Sequence, residues 1–200
     1  MLKVGIIGAG GMGNFHAASY QHIPEVKVAG VYDVSVESAR NLAEKYQAVC
    51  YQQIRDLYDD REIKIINVCL PTPFHKDFVV NSARRGKHVF CEKPIARNLD
   101  DGRLMIKTCQ ENKVKFMVGH VLRFFPEYRK AKELVDTGKI GKPGVVRTLR
   151  GGAFPKTSWY GDYEASGGVV LDTLVHDFDF LRWCFGPVER VYAKGLITRK

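Results

Sequence analysis

The first 13 residues constrain the fold most strongly, because an apolar run ends there in a glycine-rich turn. The run, Val-Gly-Ile-Ile at residues 4–7, is typical of a buried parallel strand. The turn over residues 8–13 fits G-x-G-x-x-G, and residues 14–21 are predicted to form a helix. Such a turn lets a pyrophosphate approach the backbone, and the N–H groups at the start of the helix then face the phosphates. The candidate dinucleotide contacts in this turn are Gly8, Gly10, Gly11, Met12 and Gly13.

A second predicted strand, residues 26–32, ends at Asp33, about 20 residues beyond Gly13. An acidic side chain at this position accepts hydrogen bonds from the ribose hydroxyls of a dinucleotide. The next residues, Val34 and Ser35, include no arginine to hold a 2′-phosphate, which an aspartate would also repel. The sequence therefore favours NAD over NADP. Asp33 is also of a helix-capping type, and the two roles can coexist.

Further apolar runs with helical patterns between them predict an α/β sheet of about six strands within residues 1–118. Two of these strands lead into loops at residues 70–75 and 91–96. Ligands of open α/β sheets bind at the carboxyl ends of strands, so both loops are expected to border a nicotinamide. The candidate cofactor contacts in these loops are Pro71, Thr72, His75, Glu92 and Lys93. Lys93 could donate a hydrogen bond to a reacting oxygen, or it could be an ordinary solvated lysine. Its position in the sequence does not distinguish between these two roles.

The pattern changes near residue 120, which predicts a dinucleotide-binding domain at residues 1–120 and a second domain from residue 121. In the second part we expect a helix ending near residue 137, strands at 143–150 and 188–197, and an irregular aromatic segment at 151–163. That segment is a candidate substrate loop.

A predicted helix from about residue 166 to 185 carries Asp172 and His176 four residues apart, hence on one face. An acidic side chain one turn before a histidine can orient it or stabilise its charged form. The alternative is a solvated pair, which the further acids Asp177 and Asp179 favour. The apolar flanks at Leu171, Val175 and Phe180 instead favour a packed helix.

The composition, with 45% hydrophobic and 26% charged residues, is typical of a soluble globular protein. No apolar stretch of the sequence is long enough for a spanning helix. The N-terminal apolar run is already a strand of the fold, so no signal peptide is expected. Five scattered cysteines predict free thiols in a reducing cytoplasm, and no metal site is predicted. The net charge of +9 suits either nucleic acid or anionic cofactors and substrates. Because the charges are dispersed, we predict neither a nucleic-acid nor a membrane partner.

Taken in order, the glycine turn, Pro71 to His75, Glu92-Lys93-Pro94 and the segment from Gly167-Gly168 to His176 resemble the glucose–fructose oxidoreductase/inositol dehydrogenase family, also called Gfo/Idh/MocA. The resemblance implies an N-terminal Rossmann domain with a doubly wound parallel sheet. An α/β domain with a large, mostly antiparallel open sheet would follow. It also implies that Lys93, Asp172 and His176 form a catalytic set for hydride transfer between nicotinamide and a hydroxyl-bearing carbon of a carbohydrate or polyol. Arg123 and Tyr160 are further candidates for substrate contacts.

Family members are longer than this 200-residue chain, so we expect either a C-terminally truncated second domain or a partner that supplies the rest of it. In both cases the sheet for homo-oligomer contacts is incomplete in this chain. A non-catalytic NAD-binding sensor is the alternative function, since a fold does not fix an activity. A sensor has no need of Lys93, Asp172 and His176, so their presence favours an enzyme. The sequence does not specify the substrate.

Overall fold

The computed structural model describes residues 1–151 and 158–195, which divide into two compact units. The first unit comprises residues 1–119 and 158–173, and the second comprises residues 120–151 and 174–195. Within these ranges, no helix combines the length and the apolar composition that crossing a membrane requires.

The first unit is built on a six-stranded sheet in the order β3-β2-β1-β4-β5-β6. Every neighbouring pair of strands runs parallel. The strands are β1 (Leu2–Ile7), β2 (Val26–Tyr32), β3 (Val49–Cys50), β4 (Ile63–Val68), β5 (His88–Cys91) and β6 (Phe116–Val118). The strand order reverses between β1 and β4, and ligands of doubly wound sheets bind at that switch point. The predicted parallel Rossmann sheet is confirmed.

Helices connect the strands and continue beyond the sheet. In chain order they are α1 (Gly11–Tyr20), α2 (Val36–Lys45), α3 (Ile54–Asp59), α4 (His75–Arg84), α5 (Leu99–Glu111), α6 (Pro126–Asp136), α7 (Tyr163–Ser166), α8 (Gly168–Asp172) and α9 (Val175–Phe185). Local side chains cap the starts of three of these helices. Ser35 accepts the Ser38 N–H at 3.3 Å at the start of α2, Asn98 accepts the Asp101 N–H at 2.8 Å at the start of α5, and Asp162 accepts the Glu164 N–H at 2.9 Å at the start of α7.

Helices cover both faces of the sheet, which is why its central strands are mostly apolar. One buried cluster joins Val4 and Ile6 of β1 to α1 and α2, and another joins Ile7 to α3, α4 and α5. The side chains of Val4, Ile6 and Ile7 are fully buried, and each contributes about 1.5–3 kcal/mol of hydrophobic stabilisation. The sheet therefore fixes the positions of the loops at its carboxyl edge.

The described part of the second unit is helical. Its helices α6 and α9 pack through Tyr128 and Phe180, whose ring centroids are 5.0 Å apart with an edge-to-face geometry. The strand predicted at 143–150 is wrong, and residues 188–195 are also without regular structure; positions 196 and 197 lie outside the described residues. A strand exists only through hydrogen bonds to a neighbouring strand, and the described residues of this unit contain none. The apolar side chains that suggested strands stay solvent-exposed, Val145 at 91% and Val191 at 84%.

Candidate active site

In the glycine loop between β1 and α1, two glycines have no room for a side chain and two others face open space. A Cβ on Gly8, whose φ is +100°, would lie 2.4 Å from the carbonyl oxygen of Cys69, and a Cβ on Gly13 would lie 1.9 Å from that of Gly8. Gly10 and Gly11 have no atom within 4 Å of such a Cβ. The first pair lets the turn and the helix pack closely, and the second leaves the backbone accessible to a phosphate.

Asp33, at the end of β2, lies against this loop. Its Oδ2 accepts the Ala9 N–H at 2.6 Å, and its Oδ1 accepts the Ser35 N–H at 2.8 Å. The cap of α2 is Ser35, so Asp33 is not the capping residue. The structure thus places the predicted ribose-binding carboxylate beside the predicted phosphate-binding backbone.

The loops that follow β4 and β5 are joined by His75. Its side chain is fully buried, with Nδ1 2.9 Å from the carbonyl oxygen of Pro94 and Nε2 2.8 Å from that of Leu70. Burial lowers the pKa of the His75 imidazole, against the opposing effect of these carbonyls. Thr72 is also buried, and the Lys93–Pro94 peptide bond is cis. The contribution of His75 to this edge of the sheet is therefore to hold the two loops together.

Lys93 contacts Asp172, 79 residues further along the chain. Its Nζ donates to the carbonyl oxygen of Asp172 at 2.9 Å and to the carboxylate Oδ1 at 3.3 Å. Asp172 is only 4% exposed, so the ammonium and the carboxylate form a largely desolvated pair. Tyr160 hydrogen-bonds to the same carboxylate, and burial, followed by the charge of Asp172, raises the pKa of this tyrosine to about 12. Lys93, Asp172 and Tyr160 thus lie together in the first unit.

The segment that carries Asp172 is held by Arg97, which the sequence did not single out. Arg97 donates to the carbonyl oxygens of Tyr163 at 2.9 Å and Glu164 at 3.0 Å, and its guanidinium lies 5.6 Å from the Tyr163 ring centroid. Gly167 then adopts a φ of +79°, and a Cβ there would lie 2.0 Å from the Arg97 guanidinium. An arginine three residues after the Glu-Lys-Pro motif was the available signal.

The predicted single helix from about 166 to 185 is wrong. The segment forms α7, α8 and α9, with the left-handed Gly167 between the first two and a turn at residues 173–174 between the others. The α8 helix ends at Asp172, whose carbonyl accepts the Lys93 ammonium. Asp172 and His176 therefore do not share one face of a continuous helix. His176 begins the first turn of α9, in the second unit.

The second unit contains an open cavity of about 640 Å³, lined on one side by Arg123, Asp179 and Trp183. Arg123 donates to both carboxylate oxygens of Asp179 at 2.6 and 2.7 Å and lies 5.8 Å from the Trp183 ring centroid. Arg150 pairs with Asp177 at 2.5 Å, so the acids of α9 are ion-paired rather than a solvated stripe. Of the candidate substrate loop at 151–163, positions 152–157 lie outside the described residues.

A buried histidine on α1 is a further group that the sequence reasoning missed. His16 lies 2.9 Å through Nε2 from the Glu92 carboxylate, and its ring stacks on Phe90 at 5.2 Å between centroids. Glu92 itself was predicted as a cofactor contact, but it is 6% exposed and faces this histidine. The signal was a polar ring three residues after Gly13, on the helix face that the sheet covers.

Two family models match this chain. One, described as an oxidoreductase family with an NAD-binding Rossmann fold, matches residues 2–120, and a Gfo/Idh/MocA C-terminal domain matches residues 128–200. A myo-inositol 2-dehydrogenase of Thermotoga maritima is 35% identical over 199 residues, covering 98% of this chain and 59% of the relative.

Solved structures give the same result. A crystal structure described as a "probable dehydrogenase from Thermotoga maritima" superposes with a TM-score of 0.85 at 36% identity, covering 92% of this chain and 55% of that one. A levoglucosan dehydrogenase in complex with NADH and levoglucosan superposes with a TM-score of 0.81 at 26% identity, covering 92% and 54%. The chain spans a little over half the length of the proteins it matches.

Proposed function

This chain belongs to the Gfo/Idh/MocA oxidoreductase family, and we propose that it is an NAD-dependent dehydrogenase acting on a hydroxyl-bearing carbon of a sugar or polyol. The observation that carries the proposal is the contact between Lys93, at the carboxyl end of the sheet, and the buried Asp172. A lysine so placed can hold a substrate oxygen beside a dinucleotide bound at the glycine loop. We further propose that residues 1–120 form the cofactor domain and residues 121–200 part of the substrate domain.

The residues of the glycine loop fit the dinucleotide. The open space at Gly10 and Gly11 matches a pyrophosphate, and the start of α1 supplies backbone N–H groups and a positive dipole end. When bound, the nicotinamide supplies the hydride acceptor or donor at its C4 carbon. We propose that Asp33 selects NAD over NADP, because a carboxylate accepts ribose hydroxyls and repels a 2′-phosphate.

In the oxidation of an alcohol, the carbon loses a hydride and the hydroxyl must lose a proton. We propose that His176 accepts this proton, because a histidine has a usual pKa of about 6.5 and is therefore suited to act as a general base at neutral pH. Lys93 donates a hydrogen bond to the same oxygen and stabilises the negative charge that builds on it. Asp172 holds the lysine in place, and Tyr160 and Arg123 are proposed to bind other hydroxyls of the substrate. The related proteins named above act on inositol and bind levoglucosan, so cyclic polyols and anhydrosugars are the first substrates to screen.

The test is a turnover screen of the purified protein with NAD or NADP and a panel of sugars and polyols. We expect Lys93→Met and His176→Ala to lower kcat by at least about 100-fold while the affinity for NADH changes by less than about threefold. Lys27→Met and His22→Ala are matched controls, since both side chains are exposed on the first unit. Full activity in both site variants refutes the catalytic assignment. Tight NADH binding with no turnover of any substrate supports the sensor function instead.

A further inference from the structure

A buried ion pair connects α1, the helix that follows the glycine loop, to the loop that carries Lys93. The Nε2 of His16 lies 2.9 Å from the Oε1 of Glu92, and the two side chains are only 7% and 8% exposed. The other ring nitrogen, Nδ1, lies 2.8 Å from the Oδ1 of Asn67 on β4. His16 therefore bridges two points of the sheet from the helix that packs on it.

Acceptor oxygens lie close to both ring nitrogens of His16. The Asn67 amide is oriented by its Nδ2, which donates to the Phe90 carbonyl at 3.3 Å, and by its Oδ1, which accepts the Tyr20 hydroxyl at 2.9 Å. The Oδ1 of Asn67 and the Oε1 of Glu92 lie 2.8 and 2.9 Å from the two ring nitrogens, and the negative charge of the carboxylate favours the imidazolium form of His16.

The electrostatics agree with this geometry. Burial lowers the pKa of His16, but the hydrogen bonds to Glu92 and Asn67 outweigh burial and raise it above the usual 6.5. Burial alone would raise the pKa of Glu92, yet His16 lowers it below the usual 4.5. Both shifts favour the charged forms of the two groups.

Glu92 is tied directly to the lysine. Its Oε2 accepts the backbone N–H of Lys93 at 3.1 Å, and the ammonium of that lysine reaches Asp172. His16 lies three residues beyond Gly13, whose Cα packs against the carbonyl of Gly8. A continuous set of contacts therefore runs from the glycine loop through the ion pair to the Lys93 backbone.

Stability alone does not account for charges at this place. Two buried ions lose their hydration, and apolar side chains of similar volume are often as stabilising or more so. The Phe90 ring beneath His16 would pack equally well against an apolar side chain. A charged pair, unlike an apolar one, fixes distance and direction through hydrogen bonds.

We propose that His16 and Glu92 are positioning residues that fix the Lys93 backbone relative to α1. They thereby keep the lysine ammonium at a constant distance and direction from the bound dinucleotide. The proposal rests on the proposed function, since it concerns the placement of that site's lysine.

Other titratable groups act on the same pair. Around Glu92 they are Lys93, His75, Tyr160, Cys69 and Cys91, and around Asn67 there is Tyr20. Burial raises the pKa values of these tyrosines and cysteines and lowers that of the His75 imidazole, so all five are neutral near pH 7. Of the two histidines in this group, His16 is therefore the one that keeps its charge to higher pH than usual.

The test measures kcat, KM and the NADH dissociation constant against pH for the full-length protein and for H16Q, E92Q and the double variant. We expect each single variant to lower kcat about 10- to 100-fold, since a small misplacement of a reacting group has effects of this size. KM and NADH affinity should change by less than about threefold. The double variant should lose no more than the worse single variant, because the two residues act as a unit. The control is K3Q with E62Q, which breaks an exposed 3.1 Å ion pair on the same unit and should leave kcat unchanged.

The pH profile separates positioning from a merely structural role. In the unmodified protein kcat should fall at alkaline pH as His16 loses its proton, and H16Q should lack that step. If H16Q does not fold, NMR titration of labelled histidines in the unmodified protein replaces it, and the His16 midpoint should coincide with the alkaline step in kcat. Midpoints that differ, a normal kcat profile in H16Q, or multiplicative losses in the double variant each overturn the proposal. An unmodified protein without any turnover overturns the proposed function itself, and the proposal with it.

Discussion

Gly13→Ala tests how closely α1 must approach the glycine loop. An ideal Cβ at position 13 would lie 1.9 Å from the Gly8 carbonyl oxygen, where real Cβ atoms essentially never come within 3.0 Å. The loop and the helix would thus have to separate by the difference between 3.0 and 1.9 Å, about 1.1 Å. Neither atom can rotate away, because the oxygen is a backbone atom of Gly8 and the Cβ is bonded directly to the Cα of residue 13. We therefore expect a loss of about 3 kcal/mol in the free energy of unfolding, the upper end of the usual cost of overpacking.

The same separation displaces the N–H groups at the start of α1, so NADH affinity should fall at least about tenfold, or about 1.4 kcal/mol. Urea unfolding and NADH fluorescence titration measure the two effects. Gly11→Ala is the matched control for stability, because its Cβ would have no protein neighbour within 4 Å in the same helix. There we expect a gain of roughly 0.5–1 kcal/mol in the free energy of unfolding. If Gly13→Ala is as stable as Gly11→Ala and binds NADH as tightly as the unmodified protein, close packing at Gly13 is not required.

Three further predictions concern Asp33, Arg97 and the buried pair on α1. Asp33→Ala should weaken NADH binding about tenfold and bring the affinities for NADH and NADPH closer together. The variant lacks the carboxylate beside the Ala9 N–H that is proposed to accept the ribose hydroxyls and repel a 2′-phosphate. An unchanged NADH/NADPH affinity ratio in fluorescence titrations contradicts this. Arg97→Met should cost about 1–2 kcal/mol of unfolding free energy in urea, allowing for the partial exposure of its two hydrogen bonds to carbonyls; a cost no larger than that of replacing an exposed helix arginine refutes it. The stability that His16 adds, measured as unfolding free energy against H16Q, should be fully present below its usual pKa of 6.5 and lost as the pH rises through its raised pKa. The contribution of Glu92 should be present above its usual 4.5 and lost as the pH falls through its lowered pKa, so a difference that is flat from acid to alkaline pH is the contrary result.

The sequence predicted the first unit well because its signals are local. The strand at Val26–Tyr32 was predicted with the bounds the structure has, and α1, predicted at residues 14–21, spans Gly11–Tyr20. Buried parallel strands are nearly continuous apolar runs, and glycines mark the turns between them, so periodicity and turn chemistry suffice.

The second unit and the Asp172 segment depended on contacts that no local pattern contains. Residues 143–150 have the composition of a strand, but a strand also needs a partner, and pairing is non-local. Gly167 in the left-handed region and the capture of the Asp172 carbonyl by Lys93 interrupt what the apolar spacing suggested was one helix.

The parts of the candidate site that the sequence missed are side chains whose partners lie far along the chain. His16 pairs with a residue 76 positions later, and Arg97 binds carbonyls 66 and 67 positions later. Only the tertiary fold brings such groups together, whereas the glycine loop and Asp33 follow from a known strand–turn–helix geometry.

Transfer of deuterium tests the central claim most directly. The full-length protein is incubated with NAD and polyols or sugars deuterated at the carbinol carbons, and the nicotinamide is analysed by mass spectrometry and NMR. We predict that deuterium appears at C4 of the reduced nicotinamide with at least one substrate, and that Lys93→Met, which still binds NADH, gives none above background. If the protein binds NADH but transfers no deuterium from any of these substrates, it is not the dehydrogenase proposed here.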